Sequence, residues 1–259
     1  GAALAEELRA CGIRLNFSPV VDVDTRPDNP AIGDRSFGSD PDLVGRLGAA
    51  VVKGLQGGGI AACAKHFPGH GDTSVDSHFG LPSVGHSRDR LEEVELPPFR
   101  ACIEAGVALV MTAHVLVPEL DEKRPGTLSP EIVGQLLREG LGYGGVVATD
   151  DLQMKAVAAH WGPAERAVLA AQAGCDLLEV CSDHDDQAEA MEGLIRAVEA
   201  EEVDGGGCRS IELPRSRSGA EPSPPQPTTT PSRSWSSDAR GAICDVAFRL
   251  VGWAPGDAP

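Results

Sequence analysis

Helix-like stretches, each followed by a glycine and a short apolar run that ends in polar residues, recur five times along the chain. In the second of these units, Asp40-Pro41 is typical of a helix N-cap with proline at the first helical position. The predicted buried face then repeats every four positions, at Leu43, Leu47, Val51 and Leu55. Glycines 57–59 end this helix, and the apolar run 60–64 leads into Lys65-His66.

The other four units follow the same order. Their apolar runs span residues 13–21, 107–113, 145–149 and 175–178, and the polar residues that come next are Asp22, His114, Asp150 and Glu179. Continuous apolar strands that alternate with helices indicate a parallel sheet covered by helices. Polar residues at the carboxyl ends of strands are typical of a (β/α)8 barrel of the TIM type.

The predicted fold class is therefore α/β, with an incomplete barrel because about five βα units are visible where a closed barrel has eight. A doubly wound open sheet is the alternative, since it also binds ligands beyond the strand ends. No glycine fingerprint for a dinucleotide follows any predicted strand, which disfavours that alternative.

The chain changes character after about residue 200. Residues 214–237 are dominated by Pro, Ser, Thr and Arg and contain no Leu, Ile or Val. Such a segment has too little apolar surface to order itself. We predict a partial barrel over residues 1–200 and a Pro/Ser-rich tail over 201–259, which is either disordered or the product of a shifted reading frame.

The net charge of −17 argues against a nucleic acid or an anionic membrane surface as partner. No apolar run reaches the roughly 18 residues that a membrane span needs. The seven cysteines are odd in number and form no C-x-x-C pair, so reduced, buried thiols are expected. This cysteine usage indicates a reducing compartment.

Residues 65–78 hold one Lys, three His and two Asp among glycines and a proline. They form either a plain polar surface loop, a metal site made of His66, His70, His78 and a carboxylate, or an acid–base site. The histidine spacing fits no compact zinc pattern. In the third interpretation, Asp76 orients His78, whose ordinary pKa of about 6.5 suits proton exchange at neutral pH. Asp150 is then placed to act as the nucleophile at a strand end.

Three segments carry a resemblance to a known family. The run KHFPGHGDTSVDSH (65–78) resembles the signature of NagZ-type members of glycoside hydrolase family 3, the β-N-acetylglucosaminidases of peptidoglycan recycling. The runs GGVVATDDLQM (144–154) and NPAIGDRSFG (29–38) are similar to two further segments of that family, in the same order. The resemblance covers roughly residues 1–195.

The resemblance implies a retaining exo-β-N-acetylglucosaminidase with no metal and no organic cofactor. Asp150 would be the nucleophile that forms a covalent glycosyl-enzyme, and His78 would be the acid/base with Asp76 as its partner. Arg35, Lys65 and His66 would bind the sugar, so the expected partner is an N-acetylglucosamine-containing muropeptide or chito-oligosaccharide. A cytoplasmic location is expected, with export as the alternative, and the sequence predicts no oligomeric state.

Two further functions stay open. One is a β-N-acetylglucosaminide phosphorylase or a β-glucosidase on the same scaffold, because a histidine repels an incoming phosphate less than a carboxylate does. The other is an inactive sugar-binding remnant, because a carboxylate and a second arginine that bind the sugar in the family have no counterpart in this chain.

Neighbouring polar residues have more ordinary interpretations. Arg35 on its own favours a salt bridge with Asp34 or Asp40, and Asp151 suits a helix-capping role. His70 is expected to shape its loop, whereas His114 either lines the pocket or packs in the core. The remaining histidines, for which the sequence indicates no role, are His86, His160 and His184.

Overall fold

The alternating pattern folds into one parallel sheet with helices against it. A computed structural model describes residues 1–203 of the chain. The strands are β1 (Leu15–Asn16), β2 (Ala61–Phe67), β3 (Leu109–Thr112), β4 (Val146–Asp151) and β5 (Leu177–Glu179). They lie in the order β1-β2-β3-β4-β5, and every neighbouring pair is parallel.

Helices connect these strands. The α-helices are α1 (Ala2–Ala10), α2 (Pro41–Gly57), α3 (Arg88–Arg90), α4 (Leu96–Glu104), α5 (Lys155–Ala158), α6 (Pro163–Ala173) and α7 (His184–Glu199). A π-helical turn, Leu91–Glu95, joins α3 to α4, and a π-helix spans Glu131–Gly140. Two 3-10 turns lie at Gly33–Arg35 and Gly126–Leu128.

The strand order decides between the two predicted folds. A doubly wound sheet reverses its strand order at a switch point, whereas these five strands follow the chain without reversal, as in a barrel. The larger apolar cluster lies between the sheet and the helices. A smaller one on the opposite, inner face is formed by Ala61, Cys63, Leu109, Met111, Val146 and Ala148. The incomplete (β/α) barrel is confirmed. The predicted tail falls, from residue 204 onward, outside the described residues, and its boundary stays a prediction.

Helix α2 begins as predicted. The Asp40 side chain accepts hydrogen bonds from the backbone N–H groups of Asp42 and Leu43, at 2.9 and 3.2 Å, and Pro41 occupies the first turn. Its predicted buried face is only partly correct, because Leu55 is buried, Leu43 and Val51 are half-buried and Leu47 is exposed. The residues that are buried are Val44, Gly45, Gly48, Val52 and Leu55.

The shift of that face has a steric cause. Gly45 and Gly48 let α2 approach its neighbours closely, and a Cβ added at Gly48 would lie 2.6 Å from Val21 Cγ1 and 3.1 Å from Cys102 Sγ. The tightest contact of the helix therefore runs through glycines, which a count of apolar residues omits. Leu47, predicted to be buried, is 40% exposed.

The described part of the chain contains no helix that is both long and apolar enough to cross a membrane. Its five cysteines are all free thiols. Cys63, Cys102 and Cys175 are buried, as expected for thiols within apolar runs, whereas Cys11 and Cys181 are exposed.

Candidate active site

Three ionisable side chains continue the inner face of the sheet at its carboxyl edge. Side chains alternate along a strand, so Lys65 follows Cys63 on β2, Asp150 follows Ala148 on β4, and Glu179 follows Leu177 on β5. All three interact electrostatically with the Cys63 thiol beneath them. Parallel strands therefore bring residues more than a hundred positions apart to one rim.

Asp150 is held as a carboxylate at this rim. Burial alone would raise its pKa, but the nearby His66 and His114 rings lower it, and the net pKa lies below the ordinary value. The backbone N–H of Asp151 also donates to Asp150 Oδ1 at 2.9 Å, and Lys65 adds a smaller electrostatic attraction. A charged, partly buried carboxylate at a rigid strand end is suited to nucleophilic attack.

His66 is fixed by a buried acid that the sequence interpretation left without a role. Asp22 is 1% exposed, and its Oδ2 lies 2.7 Å from His66 Nδ1. Asp22 Oδ1 accepts from the backbone N–H of His70 at 2.7 Å. Burial would raise the pKa of Asp22, but His66 and His70 bring it below its ordinary value. Since a carboxylate only accepts, His66 carries its proton on Nδ1 and turns Nε2 away from Asp22.

Two of the family-like segments meet at His70. Its ring nitrogens lie 2.7 Å from Thr73 Oγ1 and 3.1 Å from Ser77 Oγ, and its carbonyl accepts from Asn29 Nδ2 at 2.8 Å. Burial lowers the pKa of His70, so the ring is neutral at neutral pH. His70 therefore shapes the loop 65–78, as expected, and ties it to the segment 29–38.

The Asp76–His78 pair has the predicted contact. Asp76 Oδ1 lies 2.7 Å from His78 Nδ1 and also accepts from the His78 backbone N–H at 2.9 Å. Burial would raise the pKa of Asp76, but these bonds from His78 keep it below the ordinary value. The carboxylate therefore holds the proton on Nδ1, and the His78 side chain, 65% exposed, presents Nε2 for proton exchange.

A backbone hydrogen bond connects this loop to the helix that follows Asp150. The carbonyl of Ser77, between Asp76 and His78, accepts from the Ala156 N–H at 3.1 Å. Ala156 lies in α5, which follows β4 and Asp150 directly. The helix directly after the third family-like segment, 144–154, is thereby joined to the loop 65–78.

The predicted sugar-binding residues differ in their placement. His66 and Lys65 interact electrostatically with Asp150, and Lys65 Nζ lies 6.0 Å from the centroid of the Phe17 ring. Arg35 is exposed, and its guanidinium donates to the Ala31 carbonyl at 2.5 Å. Within residues 1–203, Arg35 forms no salt bridge with Asp34 or Asp40, and no contact joins it to the other predicted site residues.

Asp151 is structural, but the predicted capping role is wrong. Its Oδ1 accepts from the backbone N–H groups of Gln153 at 3.0 Å and Cys181 at 3.2 Å. Helix α5 begins later, at Lys155, and no side chain caps it. Asp151 therefore fastens the end of β4 to the segment after β5.

His114 is the packed, buried histidine of the two alternatives, and it also borders the site. Its Nε2 donates to the Asp151 carbonyl at 2.9 Å, and Nδ1 accepts from Thr127 Oγ1 at 2.8 Å. Burial lowers its pKa, which keeps the ring neutral. His114 thus positions the backbone beside Asp150.

No functional role was predicted from the sequence for two further residues, Glu179 and His86. Burial, reinforced by the charge of Asp150, raises the pKa of Glu179 to about 7. His86, for which no role was predicted, has Nε2 3.3 Å from Asp72 Oδ2 and 3.7 Å from Glu95 Oε1. Glu179, like Asp22, ends an apolar run, so the sequence did carry a signal for both acids. No sequence pattern indicates that His86 lies beside Asp72 and Glu95.

The metal-site alternative for the loop gains no geometric support. Each of its three histidines is bonded to a different partner: His66 to Asp22, His70 to Thr73 and Ser77, and His78 to Asp76. Across residues 1–203, no group of three His, Cys, Asp or Glu side chains is arranged to hold a metal ion.

Known proteins share both the sequence and the fold. A beta-hexosaminidase of Neisseria meningitidis serogroup C (strain 053442) is 46% identical over 185 residues, which are 71% of this chain and 51% of that protein. A glycoside hydrolase family 3 β-N-acetylglucosaminidase from Paenibacillus sp. str. FPU-7 matches with a TM-score of 0.78 and 39% identity, over 99% of this chain and 44% of that chain.

Two further solved structures are similar. Native NagZ from Neisseria gonorrhoeae matches with a TM-score of 0.67 and 45% identity, over 73% of this chain and 54% of that chain. The beta-glucoside phosphorylase BglX matches with a TM-score of 0.74 and 27% identity, over 78% and 38%. The chain thus spans about half the length of the curated relative it matches.

Residues 1–205 match the family described as the glycosyl hydrolase family 3 N terminal domain. That span includes all three segments that carried the resemblance and every strand of the sheet. The chain therefore belongs to glycoside hydrolase family 3, with relatives of the NagZ type.

Proposed function

We propose that the chain carries the active site of a retaining exo-β-N-acetylglucosaminidase. The observation that carries this proposal is the hydrogen-bonded Asp76–His78 pair, joined through Ser77 to the helix that follows the charged Asp150. A nucleophile and an acid/base on two linked segments are the two groups that a retaining mechanism needs. The similar β-hexosaminidases and β-N-acetylglucosaminidase support the choice of sugar.

In the first step, an Asp150 carboxylate oxygen attacks the anomeric carbon, and the bond from that carbon to the leaving-group oxygen breaks. His78 Nε2 gives its proton to that oxygen, while Asp76 stabilises the ring through Nδ1. Lys65, beside Asp150, donates a hydrogen bond to a sugar hydroxyl, and His66 Nε2 accepts one, so the two residues orient the ring.

In the second step, water attacks the anomeric carbon of the glycosyl-enzyme, and His78 Nε2 takes its proton. The bond to Asp150 breaks and the carboxylate is restored, so the sugar leaves with its original configuration. We propose terminal N-acetylglucosamine of peptidoglycan fragments as the substrate. Because NagZ-type members act in peptidoglycan recycling, we also propose a cytoplasmic location, with export as the alternative.

Covalent labelling tests the nucleophile. A fluorinated N-acetylglucosaminyl fluoride should add one sugar mass to the chain, and the modified peptide should contain Asp150. Asp150→Asn should take up no label, whereas Asp28→Asn, a change at a carboxyl that is 82% exposed, should label normally. No adduct on the parent chain would favour the inactive sugar-binding remnant.

Leaving groups of different acidity test the acid/base. His78→Ala should slow turnover of substrates with poor leaving groups far more than that of activated aryl glycosides, which need no proton. The difference should amount to roughly 100-fold or more. Equal losses on both substrates would contradict the role of His78.

A phosphorylase is the second candidate, because the acid/base is a histidine and the chain is similar to a beta-glucoside phosphorylase. A neutral or cationic imidazole repels an attacking phosphate less than a carboxylate does. Turnover in the presence of phosphate distinguishes the two reactions. Sugar 1-phosphate among the products would identify phosphorolysis, and free sugar alone would identify hydrolysis.

A further inference from the structure

Glu179 is fixed on the strand next to that of Asp150. Its backbone N–H donates to Thr149 Oγ1 at 2.9 Å, and its carbonyl accepts from the Leu152 N–H at 2.8 Å. Thr149 and Leu152 flank Asp150 and Asp151 on β4, so the backbone of Glu179 is pinned on both sides of the nucleophile. The register shifts between β4 and β5, so Glu179 pairs with Asp151, and the Glu179 carboxyl interacts electrostatically with Asp150 more strongly than with Asp151.

One oxygen of the Glu179 carboxyl lacks a hydrogen bond that would stabilise the charged form within the described part of the chain. Its Oε1 is buried and has no hydrogen-bond partner among residues 1–203. Burial and the charge of Asp150 raise the pKa of Glu179 to about 7, with Lys65 acting in the opposite direction. The pKa of Asp150 is shifted the other way. Two nearby carboxyl groups with pKa values pushed apart are typical of sites where one is charged and the other holds a proton.

Among the charged groups that interact with Glu179, only Asp150 changes its charge during the proposed reaction. Lys65 on β2 and Asp150 and Asp151 on β4 interact with it electrostatically. Cys181, beyond β5, has a pKa raised to about 11 by burial and by these acids, so it is uncharged at neutral pH. Cys63, beneath the rim, also has a raised pKa. Esterification removes the charge of Asp150, which is the largest electrostatic cause of the raised pKa of Glu179.

We propose that Glu179 is a positioning residue that keeps its proton while Asp150 is charged and releases it when Asp150 becomes the glycosyl ester. This inference rests on the proposed function. The Asp150 oxygen bonds to the anomeric carbon, the leaving-group oxygen departs with the proton of His78, and the proton of Glu179 goes to solvent. Hydrolysis restores the Asp150 carboxylate, and Glu179 takes up a proton again.

The exchange keeps one negative charge on this side of the sugar through both steps. During hydrolysis of the glycosyl-enzyme, the ionised Glu179 lies close to Asp150, which is bonded to the anomeric carbon, as that carbon gains positive character. A fixed charge placed where the opposite charge develops stabilises the transition state. A glutamine at this position would be neutral throughout and would supply no such charge.

The coupling between the two carboxyl groups is testable without catalysis. In the full chain labelled with ¹³C at glutamate carboxyls, the resonance absent from Glu179→Gln identifies Glu179. Its titration midpoint should lie near 7 in the parent and fall by roughly one pH unit in Asp150→Asn, which removes the neighbouring charge. Asp28→Asn is the control and should leave the midpoint unchanged. An equal midpoint in the parent and Asp150→Asn overturns the proposal.

Proton release tests the same coupling during the reaction. A glycosyl fluoride that labels Asp150 releases fluoride and consumes no proton, so any proton that appears at pH 7 comes from the protein. We expect roughly half a proton per adduct in the parent and in the control Glu119→Gln, and a loss of that release in Glu179→Gln. Equal release from all three chains overturns the proposal. If no adduct forms on Asp150, the proposed function fails, and the titration in Asp150→Asn still decides the coupling.

Discussion

Asp22, Asp150 and Glu179 each follow an apolar strand, yet their surroundings give them different chemistry. Asp22 is enclosed by donors, Asp150 lies beside two histidines, and Glu179 lies beside another acid. The sequence placed all three at strand ends but assigned a role only to Asp150, because the family resemblance reached that residue. The partners of Asp22 are 44 and 48 residues away, so its role depended on the folded sheet.

We expect Asp22→Asn to destabilise the chain by about 3 kcal/mol, because an amide puts new donors against the N–H groups of His66 and His70. Urea unfolding monitored by circular dichroism measures this change. The pKa of Asp22 is lowered on folding, so its contribution is complete above its ordinary pKa of 3.8 and is lost as the pH falls below that value.

Asp28→Asn is the matched control for this substitution. The Asp28 side chain is 82% exposed, and its oxygen lies 3.8 Å from Arg26, so the change should stay within about 0.5 kcal/mol. Equal losses of stability in the two variants would contradict the buried-acceptor role of Asp22.

Glu179 should give the opposite dependence of stability on pH. Its folded pKa of about 7 lies above the ordinary value of 4.5, so the folded chain holds the extra proton and stability falls as the pH rises between these values. Glu179→Gln should remove roughly 2 kcal/mol of that fall, a figure reduced from the full linkage because the side chain is partly exposed. Unfolding at pH 5 and pH 8 measures the difference, and the exposed control Glu119→Gln should keep it.

At the scale of elements, the sequence predicted the boundaries of helix α2 more accurately than it predicted which face of that helix is buried. Asp40-Pro41 and glycines 57–59 are local signals, and α2 begins and ends where they predict. The buried face of α2 was displaced because Gly48 packs on Val21, a contact that depends on how near the strand lies. Steric fit between elements is a tertiary property, which the spacing of Leu43 and Leu47 does not contain.

Gly48→Ala should destabilise the chain by about 1–3 kcal/mol, because the new methyl group would overlap Val21 Cγ1. The matched control is Gly134→Ala in the helix Glu131–Gly140, where nothing lies within 4 Å of the added Cβ. That change should stabilise by about 0.5–1 kcal/mol, because alanine loses less backbone entropy than glycine. Thermal unfolding of both variants should show shifts of opposite sign, and shifts of the same sign would contradict the packing argument.

For the whole molecule, the sequential order of five parallel strands places every strand-end residue on one side. This geometry brings Lys65 and Asp150, the proposed sugar-binding residue and nucleophile, to one rim, whereas their proposed roles came from the family resemblance. It does not extend to Arg35, which lies on a surface turn without contact to the others. Its proposed role in binding sugar remains a prediction.

The rate of thiol labelling should show which of the five described cysteines are buried. With a small alkylating reagent at pH 8, Cys11 should react first, and the exposed Cys181 should react more slowly because its pKa is raised to about 11 and little thiolate is present. Cys63, Cys102 and Cys175 are buried and should react only when the sheet and helices separate. Peptide mapping by mass spectrometry measures the order, and early labelling of Cys63 would contradict the buried inner face.

Because the Ala156 N–H donates to the Ser77 carbonyl, hydrogen exchange at this one amide reports on the motion of the loop 65–78. That N–H is shielded from solvent deuterium only while the loop holding Asp76 and His78 rests against α5. Its exchange rate therefore reports how often the loop that holds Asp76 and His78 separates from α5 when no sugar is bound. A ligand that holds the loop against α5 would slow hydrogen exchange at this amide, and a ligand that displaces the loop would speed it up.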